Sequence, residues 1–333
     1  MSIYKVGFSD DTWNFQQAYE AMNDGDTIEF EEGIIFPFDE SFIIKKSITL
    51  MGHCTKNEDG TRDFSNTLDG CIVIENSQVT IVDLWFEPSK NTSAIWARKK
   101  AMVTIKNCHF NFIGESDKYG VLLDSESNGT IQNISINHEE KSAFSLGVKG
   151  NAHLQMSDCY LPKIAVIHSE ATIQDTNIYG KKNSNTVFID TSKVQFENVG
   201  MEAMSDQEYP CVWAKESELI MKNSSIEQPG FVGSLTLNSR SSLQSFATTV
   251  ESISMSKSSS LLENSTIQSL LSVTNLSYVT IQGSLYCLGQ NNTKVDIFLS
   301  LNSTLVGKAV ELHRSFNPNI RIQSNSYLMS PEQ

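Results

Sequence analysis

Two glutamates, Glu202 and Glu227, lie 25 residues apart, at the same position in consecutive copies of a repeated phrase. Two carboxylates held close together can act as general acid and base, or as acid and nucleophile, on a glycosidic bond. Like charges at that distance also raise one pKa, as a general acid requires. Glutamates are common on surfaces, so an ordinary solvated face is the simpler interpretation of this candidate catalytic pair.

The densest cluster of acids and bases is the run His138-Glu139-Glu140-Lys141. Imidazole and carboxylate groups are frequent general acids and bases, so His138, Glu139 and Glu140 are further catalytic candidates. The run follows an apolar phrase and is expected in a loop. A charged run in a loop is usually just solvated.

Metal-ligating residues show no metal-site spacing. The histidines are isolated from one another, and the six cysteines contain no CxxC pair. We expect reduced cysteines in the core, no metal site and no cofactor. A calcium cofactor is expected only if the protein is a lyase, in which carboxylates hold the ion beside a basic residue.

One short phrase recurs along the chain: apolar, polar, apolar, any, Asn or Asp, any, any, apolar. Clear copies are VTIVDLWF, VTIKNCHF, GTIQNISI and VQFENVGM. The central polar residues lie at 83, 107, 133, 158, 175, 198 and 223, with weaker copies centred on 245, 264 and 283. These centres advance by about 22 residues per copy, which is typical of a solenoid.

Within each copy the apolar residues alternate, and a period of two indicates a strand. Each repeat is therefore a coil of short strands, and stacked coils place equivalent residues ~4.8 Å apart in columns. The Asn and Asp column is expected to be a structural ladder at a turn rather than a catalytic site. An outward polar column is expected to dock an extended sugar or another protein, although threonine also suits any exposed strand. This column consists of Thr80, Thr104, Thr130, Gln155, Thr172 and Gln195.

The two ends are expected to cap the stack, since open strand edges pair with other chains. Residues 12–22, TWNFQQAYEAM, have the pattern of an amphipathic helix with Asp11 or Thr12 as N-cap. Two prolines interrupt the pattern near the other end. We predict one domain over residues 1–333, with a helical cap at 10–25, coils at 26–310 and a C-terminal cap at 311–333.

Composition excludes two kinds of partner. A formal net charge of -14 and a pI of about 4.9 argue against nucleic acid. A mean hydropathy of -0.23, with apolar runs of only a few residues, argues against a membrane span. The opening MSIYKVGFSDD has no basic start followed by an apolar stretch, so we expect a cytoplasmic protein, or a secreted one if a leader has been trimmed.

The opening WNFQQAYEAMNDGDTIEF, then SITLMG and the VTIVDLWF-type phrases, resembles the pectin-lyase-like right-handed parallel β-helix superfamily over roughly residues 10 to 310. The resemblance implies an all-β, single-stranded right-handed parallel β-helix with an N-terminal capping helix. The superfamily includes pectate lyases, polygalacturonases, epimerases, phage tailspikes and noncatalytic modules, so it does not imply a reaction. A signal-less acidic chain also fits the noncatalytic β-helices placed before AAA+ ATPase domains in Gram-positive bacteria.

We therefore expect a noncatalytic β-helix module that presents a ladder surface to a protein or glycan partner, alone or within a larger protein. The alternative is a polysaccharide-active enzyme, a lyase, glycoside hydrolase or epimerase, acting on an extended acidic glycan through the acids named above. The sequence lacks superfamily phrases such as Trp-x-Asp-His, which favours the noncatalytic role. The oligomeric state stays open.

Overall fold

The computed structural model describes residues 1–37, 41–88, 92–112, 118–138, 144–180, 185–204, 208–287, 297–314, 320–322 and 327–329. The chain divides into two compact units, Met1–Pro162 and Lys163–Gln333. In each unit, strands of successive coils pair in parallel and in register. This pairing confirms the predicted parallel β-helix in both units. The extent of a single domain over residues 1–333 stays a prediction.

The first unit contains three sets of stacked strands. The first set carries the front of the repeated phrase, the second follows the Asn or Asp turn, and the third leads back to the next phrase. The first set is Ile3–Val6, Thr27–Phe30, Ile48–Met51, Gln78–Val82, Met102–Lys106, Asn128–Gln132 and His153–Ser157. The second is Ile35–Pro37, Thr67–Asp69, Trp85–Phe86, His109–Phe112, Ser135–His138 and Tyr160–Leu161. The third is Phe42–Ile44, Ile72–Glu75, Ile95–Arg98, Val121–Leu123 and Leu146–Lys149, and an antiparallel hairpin adds Cys54–Lys56 and Arg62–Phe64.

The second unit repeats this plan, and its later strands run through the corners. Its first set begins with Glu170–Gln174, Lys193–Glu197, Glu218–Lys222 and Ser242–Phe246, and ends with Tyr327–Met329. Its second set begins with Asn177–Gly180, Gly200–Ala203 and Ser225–Glu227. Its third set is Ile164–Ile167, Val187–Asp190, Val212–Lys215, Leu235–Asn238, Ile297–Leu299 and Ile320–Ile322. The long strands are Thr249–Ser256, Ser259–Thr274, Tyr278–Cys287 and Thr304–Arg314.

The core of each unit is built from inward-facing columns. Val79 and Ile81 pair with Val103 and Ile105 in the first strand set of the first unit, and all four are buried. In the second strand set Phe86 stacks on Phe110, with ring centroids 4.9 Å apart and an interplanar angle of 9°. Because strand side chains alternate, each buried column fixes which residues face outward.

The predicted turn ladder is present in both units. Its Asn and Asp residues all have positive φ, a backbone conformation that Asn and Asp tolerate better than other non-glycine residues. The column comprises Asp83, Asn107, Asn133, Asp158, Asp175, Asn198 and Asn223. The Nδ2 of Asn133 donates to Oδ1 of Asn107 at 2.9 Å, and the Nδ2 of Asn198 donates to Oδ1 of Asp175 at 3.1 Å. The ladder therefore has the structural role predicted for it.

One turn assignment is wrong. The repeated phrase predicts a turn centre at position 245, but the structure places Ala247 at the turn, with φ of 49°. Ser245 faces inward instead, pairs with Met221 and lies 2.9 Å from Ser265 through their hydroxyls. The error arose because an alanine stands where the other copies carry Asn or Asp, which left the nearest polar residue as the apparent centre.

A second ladder, of serines, lies at the corner before the first strand set. In the second unit the backbone N–H groups of Ser169, Ser192 and Ser217 donate to the hydroxyl of the next serine at 3.1, 3.1 and 3.3 Å. The same corner continues through Ser241, Ser258 and Ser277, where the Ser258 N–H donates to the Ser277 hydroxyl at 3.2 Å. In the first unit the same corner reads Ser77, Ala101, Ser127 and Ala152. Among the described residues the buried Oγ of Ser127 has no hydrogen-bond partner.

The N-terminal cap is a shorter helix than predicted, Phe15–Ala21, and its N-cap is Asn14 rather than Asp11 or Thr12. The side chain of Asn14 accepts a hydrogen bond from the Gln16 N–H at 2.9 Å. Trp13 forms a parallel bridge with Val6, which keeps its backbone extended and delays the start of the helix. The helix covers the core through Phe15, whose ring stacks on Phe30 at 5.8 Å. It is the one helix of the described residues, and no helix there is long enough to cross a membrane.

The described residues near the C-terminus continue the coils. Ile320–Ile322 pairs with Ile297–Leu299, and Tyr327–Met329 pairs with Thr304–Arg314, both in parallel. These described segments are strands of the solenoid. Most of residues 311–333 lies outside the described residues, so the C-terminal cap stays a prediction.

Five cysteines carry free thiols in the described part of the chain, namely Cys54, Cys71, Cys108, Cys159 and Cys211. All except Cys54 are buried. Burial raises the pKa of Cys108, Cys159 and Cys211 to about 12. Since the thiolate is the reactive form, these cysteines act as small apolar core residues, as predicted.

Candidate binding face

The outward side of the second strand set in the first unit gathers aromatic and hydrogen-bonding side chains from successive coils. Trp85 pairs with His109, which pairs with Ser135. Two residues along each strand, Glu87 neighbours Asn111 and Asn111 pairs with Asn137. We call this surface the lateral face, and it consists of Phe64, Trp85, Glu87, His109, Asn111, Ser135 and Asn137.

Three rings form the centre of the lateral face. The Trp85 and His109 rings meet edge to face, with centroids 4.6 Å apart. Phe64 reaches over from the hairpin strand Arg62–Phe64, and its ring lies 6.2 Å from both Trp85 and His109. All three side chains are half-buried, so the cluster is ordered by mutual contact and still reaches solvent.

Hydrogen bonds hold the polar groups around these rings. Nδ1 of His109 lies 2.6 Å from the Ser135 hydroxyl, and Nε2 lies 3.4 Å from Nδ2 of Asn137. Asn111 donates from Nδ2 to Oε1 of Glu87 at 2.7 Å. Burial lowers the pKa of His109, and the negative charge of Glu87 partly opposes this shift. At neutral pH the imidazole is therefore uncharged, with one nitrogen able to donate and the other able to accept.

The arrangement is suited to binding a molecule with both apolar and hydroxyl-bearing sides. Binding sites combine aromatic walls with a few placed polar groups that fix orientation. Here the rings offer apolar surface, while amide, carboxylate and hydroxyl groups at 2.6–3.4 Å from one another are already oriented. A pre-ordered site loses less entropy when it binds.

The sequence predictions did not include this face. His109 has no other histidine at a metal-ligand spacing, so the search for metal sites does not single it out. Aligning VTIVDLWF with VTIKNCHF places Trp85 above His109, which is the signal that would have found the cluster. Phe64 comes from the hairpin outside the repeat, so the periodic pattern could not have placed it.

The predicted threonine strip is in register on the first strand set. In the first unit Thr80 pairs with Thr104, Thr104 with Thr130 and Thr130 with Gln155. The same outward column begins earlier than predicted, because Thr49 pairs with Thr80. Thr27 pairs with Thr49 but is only 3% exposed. In the second unit Thr172 pairs with Gln195. The strip is a continuous outward column in each unit, and its role in binding stays a prediction.

The predicted pair of acids is brought together in the second unit. Glu202 pairs with Glu227 in the second strand set, and both side chains are exposed. A third acid extends the column, since Val250 pairs with Ile226 and places Glu251 beside Glu227. Glu251 is only 4% exposed. Burial raises the pKa of its carboxyl, the charge of Glu227 adds to the rise and a hydrogen bond with Ser269 opposes it.

Glu251 is absent from the predicted column of acids because the predicted turn lies at Ser245, two residues before the true turn at Ala247. Counting four residues from position 245 gives Thr249, whereas counting from the true turn at Ala247 gives Glu251. Residue Thr249 instead pairs with Ser225, two positions earlier on the strand. An Asn or Asp at position 247 would have aligned this copy of the phrase correctly and placed Glu251 in one column with Glu202 and Glu227.

The raised pKa of Glu251 predicts a pH-dependent gain from Glu251→Gln. The folded carboxyl holds its proton to a higher pH than the unfolded one, so stability falls as pH rises from the ordinary carboxyl range through the folded pKa. Glu251→Gln has no carboxyl to ionise at this position, so it does not lose this stability as pH rises. We expect a higher melting temperature than the wild type at pH 7 and no difference near pH 3, measured by scanning calorimetry. Glu216→Gln, at an exposed site of the same unit, is the control, and a lower melting temperature for Glu251→Gln at pH 7 would contradict the assignment.

The remaining catalytic candidates are not placed by the structure. The backbone of His138 ends the strand Ser135–His138 and pairs with Phe112. Its side chain, and all of Glu139 and Glu140, lie outside the described residues. No group of three or more potential metal ligands occurs in the part of the chain that the structure describes.

Comparison with known proteins finds solved structures of low sequence identity. No family model and no curated protein matches the chain. Tailspike protein 3 of bacteriophage CBA120 superposes with a TM-score of 0.49 at 8% identity, covering 97% of this chain and 61% of that one. A PL6 alginate lyase in complex with a trisaccharide gives 0.41 at 12% identity, covering 100% and 86%. PfbA, a surface adhesin of Streptococcus pneumoniae, gives 0.41 at 10% identity, covering 94% and 87%.

The strand register and the turn ladder define the chain as a parallel β-helix protein. This chain spans 61% of the length of the tailspike. Identities of 8–12% say nothing about the role of this chain.

Proposed function

We propose that the chain is a noncatalytic β-helix module that binds a glycan along the lateral face of its first unit. The observation that supports this most directly is the cluster of Phe64, Trp85 and His109, edged by hydrogen-bonding groups from successive coils. Pyranose rings have apolar C–H faces and a rim of hydroxyls, so they complement aromatic surface bordered by amides and carboxylates. Coils ~4.8 Å apart continue the outward column along the direction of stacking, from Trp85 and His109 to Ser135.

A binding role also fits how the polar groups are engaged. Both nitrogens of His109 already have neighbours, Ser135 and Asn137, and Glu87 accepts from Asn111. A general acid or base must instead reach the proton it transfers. The groups are arranged to present a fixed pattern of donors and acceptors.

The test is a titration of the purified chain with a panel of soluble oligosaccharides, followed by calorimetry. Replacing Trp85 with alanine removes the central ring, and loss of such an anchor costs about 2 kcal/mol or more, or roughly 25-fold in affinity. Thr104→Ala, in the threonine strip, is the matched control and should bind like the wild type. If Thr104→Ala weakens binding and Trp85→Ala does not, the threonine strip is the binding site and the lateral face is not.

A second candidate function, cleavage of a polysaccharide, is favoured by one observation in the second unit. The exposed Glu227 lies beside the buried Glu251, whose pKa is raised. A buried carboxyl and an exposed carboxyl about one coil apart have the spacing of the acid and nucleophile of a retaining glycosidase, which are about 5 Å apart.

Incubation with polysaccharides, followed by size-exclusion analysis of chain length, distinguishes the two functions. Under the binding proposal every polymer keeps its length. Shortening that is abolished by Glu251→Gln and by Glu227→Gln, and kept in Trp85→Ala, would replace the binding proposal with the enzymatic one.

A further inference from the structure

The charges on the lateral face restrict the class of glycan that it can hold. We infer that the face binds an electrically neutral glycan and rejects one that carries a carboxylate on each sugar. This inference rests on the proposed binding function and deepens it. It also opposes the acidic glycan expected under the enzymatic alternative.

The lateral face carries a negative group and no cation among its described members. Glu87 is exposed beside the ring cluster. Asp69 lies in the same outward column one coil earlier, because Leu68 pairs with Phe86. His109 is held among aromatic rings and neutral partners, so it contributes donors and acceptors rather than a positive charge.

Arg62, in the hairpin that supplies Phe64, is engaged away from the rings. Its guanidinium points toward the turn, where Nη1 lies 4.0 Å from Oδ1 of Asp83. The same guanidinium lies 4.0 Å from the Cys54 sulfur. Since Arg62 already faces an aspartate, a uronate seated on the rings would meet Glu87 rather than the Arg62 guanidinium.

A uronic polymer would therefore bring one carboxylate per sugar toward Glu87 and Asp69. Like charges brought together at a binding surface disfavour a partner strongly, and salt weakens the effect. The formal net charge of -14 adds longer-range repulsion. A neutral chain avoids this penalty and keeps the hydroxyls that Glu87, Asn111 and Asn137 can bind.

The test uses matched pairs of oligosaccharides that share a backbone and differ in charge. The pairs are β-1,4-glucan with its C6-oxidised form, mannan with polymannuronate, and α-1,4-galactan with polygalacturonate, titrated calorimetrically at 20 and 200 mM salt. We expect the neutral member of at least one pair to bind tenfold or more tightly than its uronate at low salt, with a smaller ratio at high salt. Glu87→Gln should reduce that ratio, whereas Glu216→Gln, the same charge change in the second unit, should retain it.

The outcomes separate the inference from the proposed function. Tighter binding of a uronate than of its neutral counterpart, lost in Trp85→Ala, overturns the inference and leaves glycan binding on the lateral face intact. An unchanged ratio in Glu87→Gln also overturns it. Failure of every member of every pair to bind contradicts the proposed function itself.

Discussion

Replacing Phe110 with alanine is expected to lower the free energy of unfolding by about 3–5 kcal/mol, the usual cost of deleting a buried aromatic ring. Phe110 is fully buried and stacks on Phe86 at 4.9 Å. The coils above and below are held in register by parallel strands, so they cannot close the cavity without breaking their own pairing. Phe110 also lies between His109 and Asn111 on the same strand, so a cavity there would loosen the lateral face.

The measurement is the midpoint of urea unfolding, at unchanged slope, for the wild type, Phe110→Ala and Phe110→Leu. Leucine keeps most of the buried volume, so its cost should be clearly smaller. The alanine variant should also bind the glycan less well than the leucine variant. Equal midpoints for the two variants would show that the ring is not tightly packed, against the observed stacking.

Replacing Ser192 with alanine is expected to destabilise the protein by about 1–3 kcal/mol, because a buried N–H loses its acceptor. The Ser192 hydroxyl accepts from the Ser169 N–H at 3.1 Å and donates to the Asp190 carbonyl at 2.7 Å. The matched control is Ser127→Ala, at the same corner of the first unit. There the buried hydroxyl has no partner among the described residues, so its removal should be neutral or slightly stabilising.

Thermal or urea unfolding of both variants provides the comparison. The two substitutions remove the same atom from the same kind of corner, so side-chain volume and strand propensity cancel between them. A loss in Ser127→Ala as large as that in Ser192→Ala would mean that burial of the hydroxyl, rather than its hydrogen bonds, determines the cost.

Much of the fold could be predicted because its controlling features are local. Alternation of apolar residues identifies strands, and Asn or Asp at each turn marks the residue that must take positive φ. Once Asn107 and Asn133 are aligned, the register of Val103 with Gly129 follows without any long-range information. The stacked pair Glu202 and Glu227 was predicted in the same way.

The parts that could not be predicted depend on contacts between distant segments. Trp13 belongs to a helical pattern by its side chain, yet its bridge to Val6 keeps it extended. Phe64 reaches the lateral face from a hairpin that has no place in the repeat. Ala247 has a positive φ, which alanine seldom adopts, so its residue type does not indicate a turn. The position of Glu251 in the column of acids therefore could not be predicted.

The choice of candidate residues also limited the prediction of the site. Glu202, Glu227 and the threonines are recognisable from sequence because each forms a column of one chemical type. A search for mixed aromatic and amide columns would have identified Trp85, His109 and Asn111 at equivalent positions of neighbouring coils. The strand register shows which residues are neighbours, and the chemistry of their side chains shows which column is suited to binding.

The turn ladder also bears on how the protein ages. Asparagine deamidates when the next backbone nitrogen attacks its side-chain carbonyl and closes a succinimide ring. At Asn198 that nitrogen belongs to Val199 and is bound to the Ser224 hydroxyl at 3.2 Å, while the asparagine amide is bound to Asp175 at 3.1 Å. Both reacting groups are held in place by neighbouring coils, so the bonds that order the turn also protect an asparagine-rich chain from a common form of covalent damage.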